Sequence, residues 1–287
     1  MINVVAIGGN ALDSSKNLDS VLEAIYMLSK RGKVVITHGN GPQVGALSDL
    51  EKGILGTLTA QTEAQIGLRL EEELIKYFKK RGRAVKVETL LTRVLVDPKD
   101  PAFKSPSKPI GKFYSREQAS KLGLKRLKKL AKGYRRVVPS PKPLEILNLD
   151  SIKDLLSKNY IVIAGGGGGV PIFYNGMRFN FADAVLDKDY TSALIAKSIG
   201  AQGLFILTNV NGAYLNFGKK GKILLRKVGA AELFAYSKEG AFEEGSMQPK
   251  VKACMEFVWF ARRRAAIGGM KNATDVINFK NCTTIIP

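Results

Sequence analysis

Short apolar segments alternate with segments of helical periodicity along most of this 287-residue chain. INVVAI (2–7) and KVVITH (33–38) are largely apolar along their whole length, and between them apolar residues recur at helical spacing: Leu18, Val21, Leu22, Ile25 and Leu28. A strand without polar alternation is buried on both faces, as in a parallel sheet between two layers of helices. The sequence therefore predicts an α/β fold built on a mainly parallel central sheet.

The same alternation returns in the second half of the chain. We predict strands at YIVIA (160–164) and GLFILT (203–208), with ATDVIN and CTTIIP as the closing segments. The predicted helices are a long one through Ile66, Leu70, Leu74 and Phe78 that ends at Gly82, one over 189–199 that ends at Gly200, and one from Pro249 to Ala266. Glycine just after the last periodic residue is typical of a helix end.

The segment from 97 to 143 differs in composition from the rest of the chain. It holds seven of the eleven prolines, and its central stretch, REQASKLGLKRLKKLAKG, has helical character. Residues 97–142 carry fourteen Lys or Arg against three acidic residues. Because proline is excluded from helix interiors and from the middle of a sheet, we interpret 97–143 as a basic lid inserted into a single domain that spans 1–287.

Composition excludes several classes of protein. The hydrophobic content of 45% argues against disorder, and no apolar run is long enough for a signal peptide or a membrane span. Cys254, Cys282 and the single histidine, His38, show no metal-ligand spacing, which predicts a reducing cytoplasm and no structural zinc. The net charge of +20 raises nucleic acid as a partner. Few aromatic residues accompany the basic lid, so small polyanions are the favoured ligands.

Glycine-rich sequences follow the predicted strands. The first strand leads into Gly8-Gly9-Asn10, the second into HGNGPQVG (38–45), and the middle one into Gly165–Gly169, while GLFILT leads into NVNG. In open α/β sheets ligands bind at the carboxyl ends of the strands. Backbone N–H groups and helix N-termini at one sheet edge predict a site that binds several phosphate oxygens. A flexible loop is the alternative interpretation of the five-glycine run.

Known nucleotide-binding motifs do not explain these glycines. The chain has no GxxxxGK[ST] sequence, and Pro171 follows the glycine run where a dinucleotide-binding motif would begin a helix. The protein-kinase signatures are also absent. Phosphoryl transfer needs cations to neutralise the phosphate oxygens, and three lysines stand in suggestive contexts. Lys188 lies between two aspartates at a predicted helix start, Lys250 follows Pro249 at another, and Lys108 lies in the lid.

The motifs together resemble the carbamate kinases, a family with the amino acid kinase fold. VVAIGGNAL, ITHGNGPQVG, DPKDPAFKSPSKPIG, YRRVVPSPKP, GGGGGVP, AVLDKD, YLNFGK and GSMQPK occur in family order and cover nearly the whole chain. The resemblance implies a three-layer α/β/α sandwich with a protruding lid. It further implies a carbamate side, approximately residues 1–160, and a nucleotide side, approximately 161–287. Relatives in the wider fold usually carry a lysine where this chain has Ala6.

The resemblance also implies roles for individual residues. The phosphoryl-transfer residues would be Lys188, Lys250, Asp189, Lys108, Gly8, Gly9 and Asn10, with Asp189 orienting the lysines. Carbamate or carbamoyl phosphate would contact Gly39, Asn40, Gly41, Gly166 and Gly167. The nucleotide would contact Thr208, Val210, Tyr214, Asn216, Phe217, Gly218, Met247 and Pro249. From the residues alone, Tyr214 and Phe217 could equally belong to the core, and His38 has no predicted acid–base role.

By resemblance, the expected reaction is phosphoryl transfer between ATP and carbamate with Mg2+, whose protein ligands the sequence does not identify. The expected direction makes ATP from ADP and carbamoyl phosphate, in arginine metabolism, by a cytoplasmic homodimer. Three alternatives remain open at this point. The chain could phosphorylate a larger carboxylate such as acetylglutamate, could supply carbamoyl phosphate for biosynthesis, or could bind nucleic acid on a kinase fold that has lost its activity.

Overall fold

The computed structural model describes residues 1–9, 15–51, 53–121, 126–130, 133–218 and 220–287. Its strands in chain order are β1 (Ile2–Ile7), β2 (Lys33–His38), β3 (Val87–Thr89), β4 (Arg93–Leu95), β5 (Lys108–Tyr114), β6 (Leu127–Leu130), β7 (Gly133–Val138), β8 (Glu145–Ile146), β9 (Ile161–Ile163), β10 (Val170–Asn175), β11 (Arg178–Phe181), β12 (Gly203–Thr208), β13 (Tyr214–Leu215), β14 (Ile223–Leu224), β15 (Lys227–Gly229), β16 (Arg264–Gly269) and β17 (Thr283–Ile286).

The helices are α1 (Ser15–Arg31), α2 (Gly41–Leu50), α3 (Leu55–Lys79), α4 (Arg116–Lys121), α5 (Leu149–Ser157), α6 (Lys188–Ser198), α7 (Ala230–Lys238), α8 (Met247–Ala261) and α9 (Ala273–Val276). Within the described part of the chain, none of these helices is long and apolar enough to cross a membrane.

The central sheet has eight strands in the order β15-β17-β16-β12-β1-β2-β9-β3. The strands from β16 to β3 run parallel, whereas β17 is antiparallel to β16. The registers Ile7↔His38 and Ile7↔Leu207 bring the carboxyl ends of β1, β2 and β12 to one edge. The predicted mainly parallel sheet is therefore confirmed, with its glycine-rich strand ends side by side.

Alternate residues of each central strand enter two separate hydrophobic cores. In β1, Val4 and Ala6 pack with side chains of α5, α6, α7 and α8 on one face of the sheet. Val5 and Ile7 pack with α1, α3 and α9 on the other face. Because successive side chains of a strand point to opposite faces, an apolar strand requires both helical layers. The result is the three-layer α/β/α architecture implied by the resemblance.

The last long predicted helix is shorter in the structure than in the sequence analysis. The helix predicted from Pro249 to Ala266 is α8, which ends at Ala261, and 264–269 forms β16. Arg262 has a φ of 52° and ends the helix in the left-handed conformation. The buried run of β16 is apolar at every position, so periodicity could not separate it from the helix before it. ATDV of the closing segment is the short helix α9.

The lid is mainly a small antiparallel sheet. Its strands have the order β5-β7-β6, and the stretch predicted as helical contains only the short helix α4 before β6 begins at Leu127. Residues 122–125 and 131–132 of that stretch lie outside the described residues. A third hydrophobic core, with Ile110 and Val138 from the lid and Val44 from α2, joins the lid to the main body.

Gly45 of α2 sets how closely the lid approaches. A Cβ on Gly45 would lie 2.0 Å from the backbone nitrogen of Gly111 in β5. Only glycine permits backbones to come this close. The missing side chain therefore places β5, and with it Lys108, against the carboxyl end of the central sheet.

Candidate functional site

Glycines at the ends of β1 and β2 are in direct contact. A Cβ on Gly39 would lie 3.0 Å from the nitrogen of Gly9 and 3.5 Å from Cδ of Lys188. The structure thus brings together Gly9, Gly39 and Lys188, which the sequence analysis assigned to one site. Gly8 precedes Gly9 beside Met270, and Gly41 begins α2 with open space around its Cα. Asn10 lies outside the described residues.

The five-glycine run is a buried turn at the end of β9. Gly165, Gly167, Gly168 and Gly169 all have positive φ, between 67° and 96°, and all five glycines are buried. A Cβ on Gly166 would meet His38 Nε2 at 2.4 Å, and one on Gly167 would meet the Asn40 amide at 2.2 Å. Close packing on all sides rules out the flexible-loop interpretation. It also brings the predicted substrate residues Gly166, Gly167 and Asn40 together.

Glu63 of α3 is hydrogen-bonded to the backbone of this turn. Its carboxylate accepts the Gly166 N–H at 2.8 Å and the Thr92 N–H at 3.2 Å, and Glu63 is only 1% exposed. Thr92 in turn accepts the Gly165 N–H at 2.7 Å. Burial raises the pKa of Glu63 to about 8, against the effect of the N–H donors from Thr92 and Gly166. The Glu63 carboxyl group is therefore a titratable group in direct contact with the glycine turn.

His38 is the neighbouring buried group, at the end of β2. Burial lowers its pKa to about 4, because the charged ring would be desolvated, and the nearby charge of Lys188 acts in the same direction. Its Nε2 has no hydrogen-bond partner among the described residues. A neutral, desolvated histidine of this kind fits a packing role.

The lysines predicted for phosphoryl transfer converge on two aspartates. Asp189 receives Lys188 Nζ at 2.5 Å on one carboxylate oxygen and Lys250 Nζ at 3.0 Å on the other. Asp187 caps α6 by accepting the Asp189 N–H, and its second oxygen accepts Lys108 Nζ at 2.9 Å. Three ammonium groups thus face two carboxylates at the sheet edge. The cluster has an excess of one positive charge.

Burial and the ion pairs with Asp189 and Asp187 set the protonation states of the groups in the lysine cluster. Burial favours the neutral forms, but the charges of Lys188 and Lys250 hold the pKa of Asp189 well below its usual range. Burial lowers the pKa of Lys188, opposed by the charge of Asp189, whereas Asp189 and Asp187 together raise that of Lys250 against its own burial. We infer that Asp189 is ionised and that Lys250 is the more firmly protonated of the two lysines.

A cleft of about 860 Å³ opens between the lid and the start of α8. Lys108, Asp187, Asn209 and Pro249 are among its lining residues. Of the residues predicted to contact nucleotide, Pro249 lines this cleft, Met247 begins α8, and Thr208 ends β12. The cleft therefore extends from Lys108 and Asp187 of the lysine cluster to Pro249, one of the residues predicted to contact nucleotide.

The other predicted nucleotide residues follow β12 in the chain. Val210 comes two residues after the strand, and Tyr214, Asn216, Phe217 and Gly218 belong to the β13–β14 hairpin and its turn. The rings of Tyr214 and Phe217 are 5.7 Å apart, and Phe217 is 54% exposed. Phe217 is thus a surface residue, which removes the alternative that it belongs to the core.

The side chains that commonly bind metal ions do not form a dedicated metal site in the described part of the chain. Among the described residues no group of three or more His, Cys, Asp or Glu side chains is arranged to hold a metal ion. Asp187 and Asp189, the carboxylates of the cluster, are both engaged by lysines. A Mg2+ ion that accompanies a nucleotide is commonly held by phosphate oxygens and water and needs no such group of side chains.

Sequence reasoning missed Glu63 and Asp187. Glu63 interrupts an otherwise apolar or small face of α3, formed by Leu55, Thr59, Ile66 and Leu70, and an acid on such a face is the signal that could have identified it. Asp187 was noticed only as a neighbour of Lys188. Its pairing with Lys108, 79 residues away in the chain, carried no sequence signal.

Glycine turns and clustered lysines at a sheet edge supply the positioning and the positive charge that phosphoryl transfer requires. The model of the amino acid kinase family matches residues 1–267, and the chain belongs to that family. The chain is therefore a phosphotransferase, as the sequence analysis predicted.

Individual relatives narrow this assignment. Carbamate kinase from Thermococcus kodakarensis is 39% identical, over 99% of this chain and 98% of the relative. Two solved structures of carbamate kinase from Giardia lamblia each cover 99% of this chain and 98% of their own at 36% identity. The form bound to citric acid has a TM-score of 0.91 and the form bound to AMP-PNP one of 0.86. Within the amino acid kinases, this chain is a member of the carbamate kinase group.

Proposed function

We propose that this chain transfers a phosphoryl group between carbamoyl phosphate and ADP, giving carbamate and ATP, and that the reverse reaction uses the same site. The observation that carries the proposal is the lysine cluster with its excess positive charge, next to the buried glycine turn. An anionic phosphoryl group would complete this charge balance. Membership among the carbamate kinases supports the choice of carbamate as the second substrate.

The chemistry requires positioning and charge neutralisation. An oxygen of the ADP β-phosphate attacks phosphorus, a new P–O bond forms, and the bond from phosphorus to the carbamate oxygen breaks. Carbamate leaves as an anion, so no general base or acid is needed at either oxygen, which agrees with the neutral, buried His38. Lys188 and Lys250 would offset the charge repulsion between the two anionic substrates.

Asp189 would orient both ammonium groups before substrate binds. A carboxylate that holds two lysines through separate oxygens limits their rotamers, so less entropy is lost when phosphate replaces water. The N–H groups of Gly9 and Gly167 would donate to substrate oxygens at the sheet edge, whereas the N–H of Gly39 donates to the Ile7 carbonyl at 3.1 Å. Lys108, presented by the lid strand β5, would complete the substrate side.

Mg2+ is part of the proposal as an ion that accompanies the nucleotide. When bound, it would neutralise charge on the transferred and bridging phosphate oxygens. We assign the hairpin with Tyr214 and Phe217 to the nucleoside, because it follows β12 in the chain and exposes the Phe217 ring. A nucleotide as substrate is supported by the relative solved with AMP-PNP bound. The division into a carbamate side (1–160) and a nucleotide side (161–287), with 97–143 as the lid, is also part of the proposal.

A homodimer is the assembly we propose. β3 is an edge strand of the central sheet, and the long helix α3 beside it exposes Leu68 and Ile75, which are seven residues apart and share one helix face. Leu91, just beyond β3, is also exposed. Light scattering coupled to size exclusion tests this proposal. The buried free thiols of Cys254 and Cys282 are compatible with a cytoplasmic location.

The deciding experiment is a coupled assay for ATP made from ADP, carbamoyl phosphate and MgCl2. The enzyme should produce ATP, and omission of carbamoyl phosphate should abolish the signal. A parallel assay with ATP and acetylglutamate tests the larger carboxylate, which the closely packed turn at Gly166 and Gly167 should exclude. Activity with acetylglutamate and none with carbamoyl phosphate would contradict the proposal.

A further inference from the structure

One face of the lid sheet points into the cleft. Lys128 of β6 and Arg135 of β7 are directly opposite each other in the antiparallel register, and both line the cleft. The next residue, Arg136, points to the other face, where its guanidinium donates to Ser48 Oγ at 3.2 Å. The two adjacent arginines therefore have opposite environments.

Two like charges directly across a strand pair destabilise a sheet unless other charges compensate. Lys128 has a partner, since its Nζ lies 3.6 Å from Glu244. Arg135 has none: in the described part of the chain no carboxylate lies within 4.0 Å of its guanidinium, and its buried Nε makes no hydrogen bond. Arg135 is thus the uncompensated member of the pair.

An aromatic ring packs against the Arg135 guanidinium without accepting a hydrogen bond from its N–H groups. The Phe113 ring, also in the cleft wall, lies 5.4 Å from the guanidinium carbon, which is the arrangement of a cation–π contact. Burial of the side chain lowers its pKa, which marks partial desolvation of a group that remains charged. Partial desolvation without a protein partner is costly and is relieved by a bound anion.

None of the carboxylates that line the cleft pairs with Arg135. Asp187 is engaged by Lys108, Glu244 is paired with Lys128 and is largely exposed, and Glu243 also lines the cleft without lying within ion-pair distance of Arg135. The planar guanidinium fork matches two oxygens of a phosphoryl group, and phosphoryl groups are the anions that the proposed reaction brings into this cleft.

We propose that Arg135 is a substrate-binding residue that donates hydrogen bonds to phosphoryl oxygens of a substrate held between the lid and the start of α8. The inference rests on the proposed function of the site. The phosphoryl group could belong to carbamoyl phosphate or to ADP. Separate titrations of the two substrates distinguish these sources.

The test compares three variants with the wild type. Arg135→Gln removes the charge and the fork, Arg135→Lys keeps the charge only, and Arg136→Gln is the matched control on the other face of the same strand. For Arg135→Gln we expect kcat/KM to fall about 10²-fold, as for loss of a preorganised donor to a developing anion. Arg135→Lys should lie between this variant and the wild type, and Arg136→Gln should stay within about twofold.

Each result decides the inference. A raised KM for carbamoyl phosphate assigns Arg135 to that substrate, a raised KM for ADP assigns it to the nucleotide, and a fall in kcat alone assigns it to the transition state. Unchanged kinetics in both Arg135 variants, or an equal loss in Arg136→Gln, overturns the inference. If Arg135→Gln does not fold, Arg135→Lys decides by the same criteria.

A binding measurement separates this inference from the proposed function. The rise in Tm caused by ADP or by inorganic phosphate is measured for the wild type and for Arg135→Gln. A wild type that makes no ATP would contradict the proposed function. A smaller Tm rise in Arg135→Gln would still support phosphoryl binding by Arg135, and an equal rise would overturn it.

Discussion

Lys250 donates to Asp189 at 3.0 Å, although the two residues are 61 positions apart in the chain. The other oxygen of the same carboxylate receives Lys188. One buried aspartate therefore holds two ammonium groups from the N-terminal turns of two helices, α6 and α8. A cation at a helix N-terminus opposes the helix dipole, so Asp189 compensates both unfavourable placements.

Replacement of Lys250 by alanine should lower the rate of ATP formation by about 10² to 10³, because one preorganised cation is lost from the transferred phosphoryl group. The chain should still fold, since Asp189 keeps Lys188. Steady-state kinetics with both substrates provide the measurement, and Lys238→Ala at the end of α7 is the control. An unchanged rate would remove Lys250 from the site.

Asp189→Asn should destabilise the fold by about 3–5 kcal/mol, because two buried ammonium groups lose their common counter-charge. Urea unfolding measures the loss. The matched control is Asp150→Asn, whose exposed carboxylate lies 3.6 Å from Lys153, and its effect should stay below about 1 kcal/mol. Equal effects of the two substitutions would show that the lysine cluster does not depend on the Asp189 charge.

Glu63 and His38 should affect stability in opposite directions as pH changes. The pKa of Glu63 rises from 4.5 to about 8 on folding, so its contribution is complete below pH 4.5 and is lost as pH rises towards 8. The pKa of His38 falls from 6.5 to about 4, so its contribution is complete above pH 6.5 and is lost as pH falls towards 4. Between pH 4.5 and 6.5 the two effects oppose each other.

The variant Glu63→Gln should expose the His38 effect. In the wild type we expect little change in unfolding free energy between pH 5 and 6.5, and a decrease between 6.5 and 8 with a slope of up to about 1.4 kcal/mol per pH unit. Glu63→Gln should lose stability below pH 6.5 and have no decrease above it. Urea titrations at pH 5, 6, 7 and 8 measure both profiles, and parallel profiles would contradict the assignment.

Gly45→Ala should shift the lid because the added Cβ has no room against Gly111. Alanine favours a helix over glycine by about 1 kcal/mol, so any loss of stability would come from this contact. We expect a higher KM for carbamoyl phosphate, as β5 presents Lys108, with a smaller effect on the KM for ADP. Gly229→Ala, with no atom within 4 Å of its added Cβ, is the control. Unchanged KM values in Gly45→Ala would show that the lid does not position Lys108.

Phe217→Ala should raise the KM for ADP by about 5- to 150-fold, because loss of stacking between the exposed ring and the base costs about 1–3 kcal/mol. The KM for carbamoyl phosphate should not change. Phe260→Ala provides the comparison, because Phe260 is also exposed but lies at the far end of α8. Identical KM values for ADP in the wild type and Phe217→Ala would remove the hairpin from the nucleotide site.

Where the sequence analysis was wrong, local patterns were ambiguous. The apolar residues of β16 continued the pattern of α8, and the structure separates them only through the left-handed Arg262. In the lid, KRLKKL has a helical composition, yet its residues 127–130 form β6, which pairs antiparallel with β7. Tertiary packing overrides helix propensity in such a short segment.

The sequence by itself determined the parallel sheet and the glycine turns, because both depend on local requirements. An apolar strand must be covered on two faces, and positive φ in a crowded turn admits little besides glycine. Only the tertiary structure decided that Asp189 joins Lys188 to Lys250, that Glu63 lies under the turn, and that Arg135 rather than Arg136 points into the cleft. These relationships depend on packing between distant segments and on the pairing register of two lid strands, which no local pattern of residues specifies.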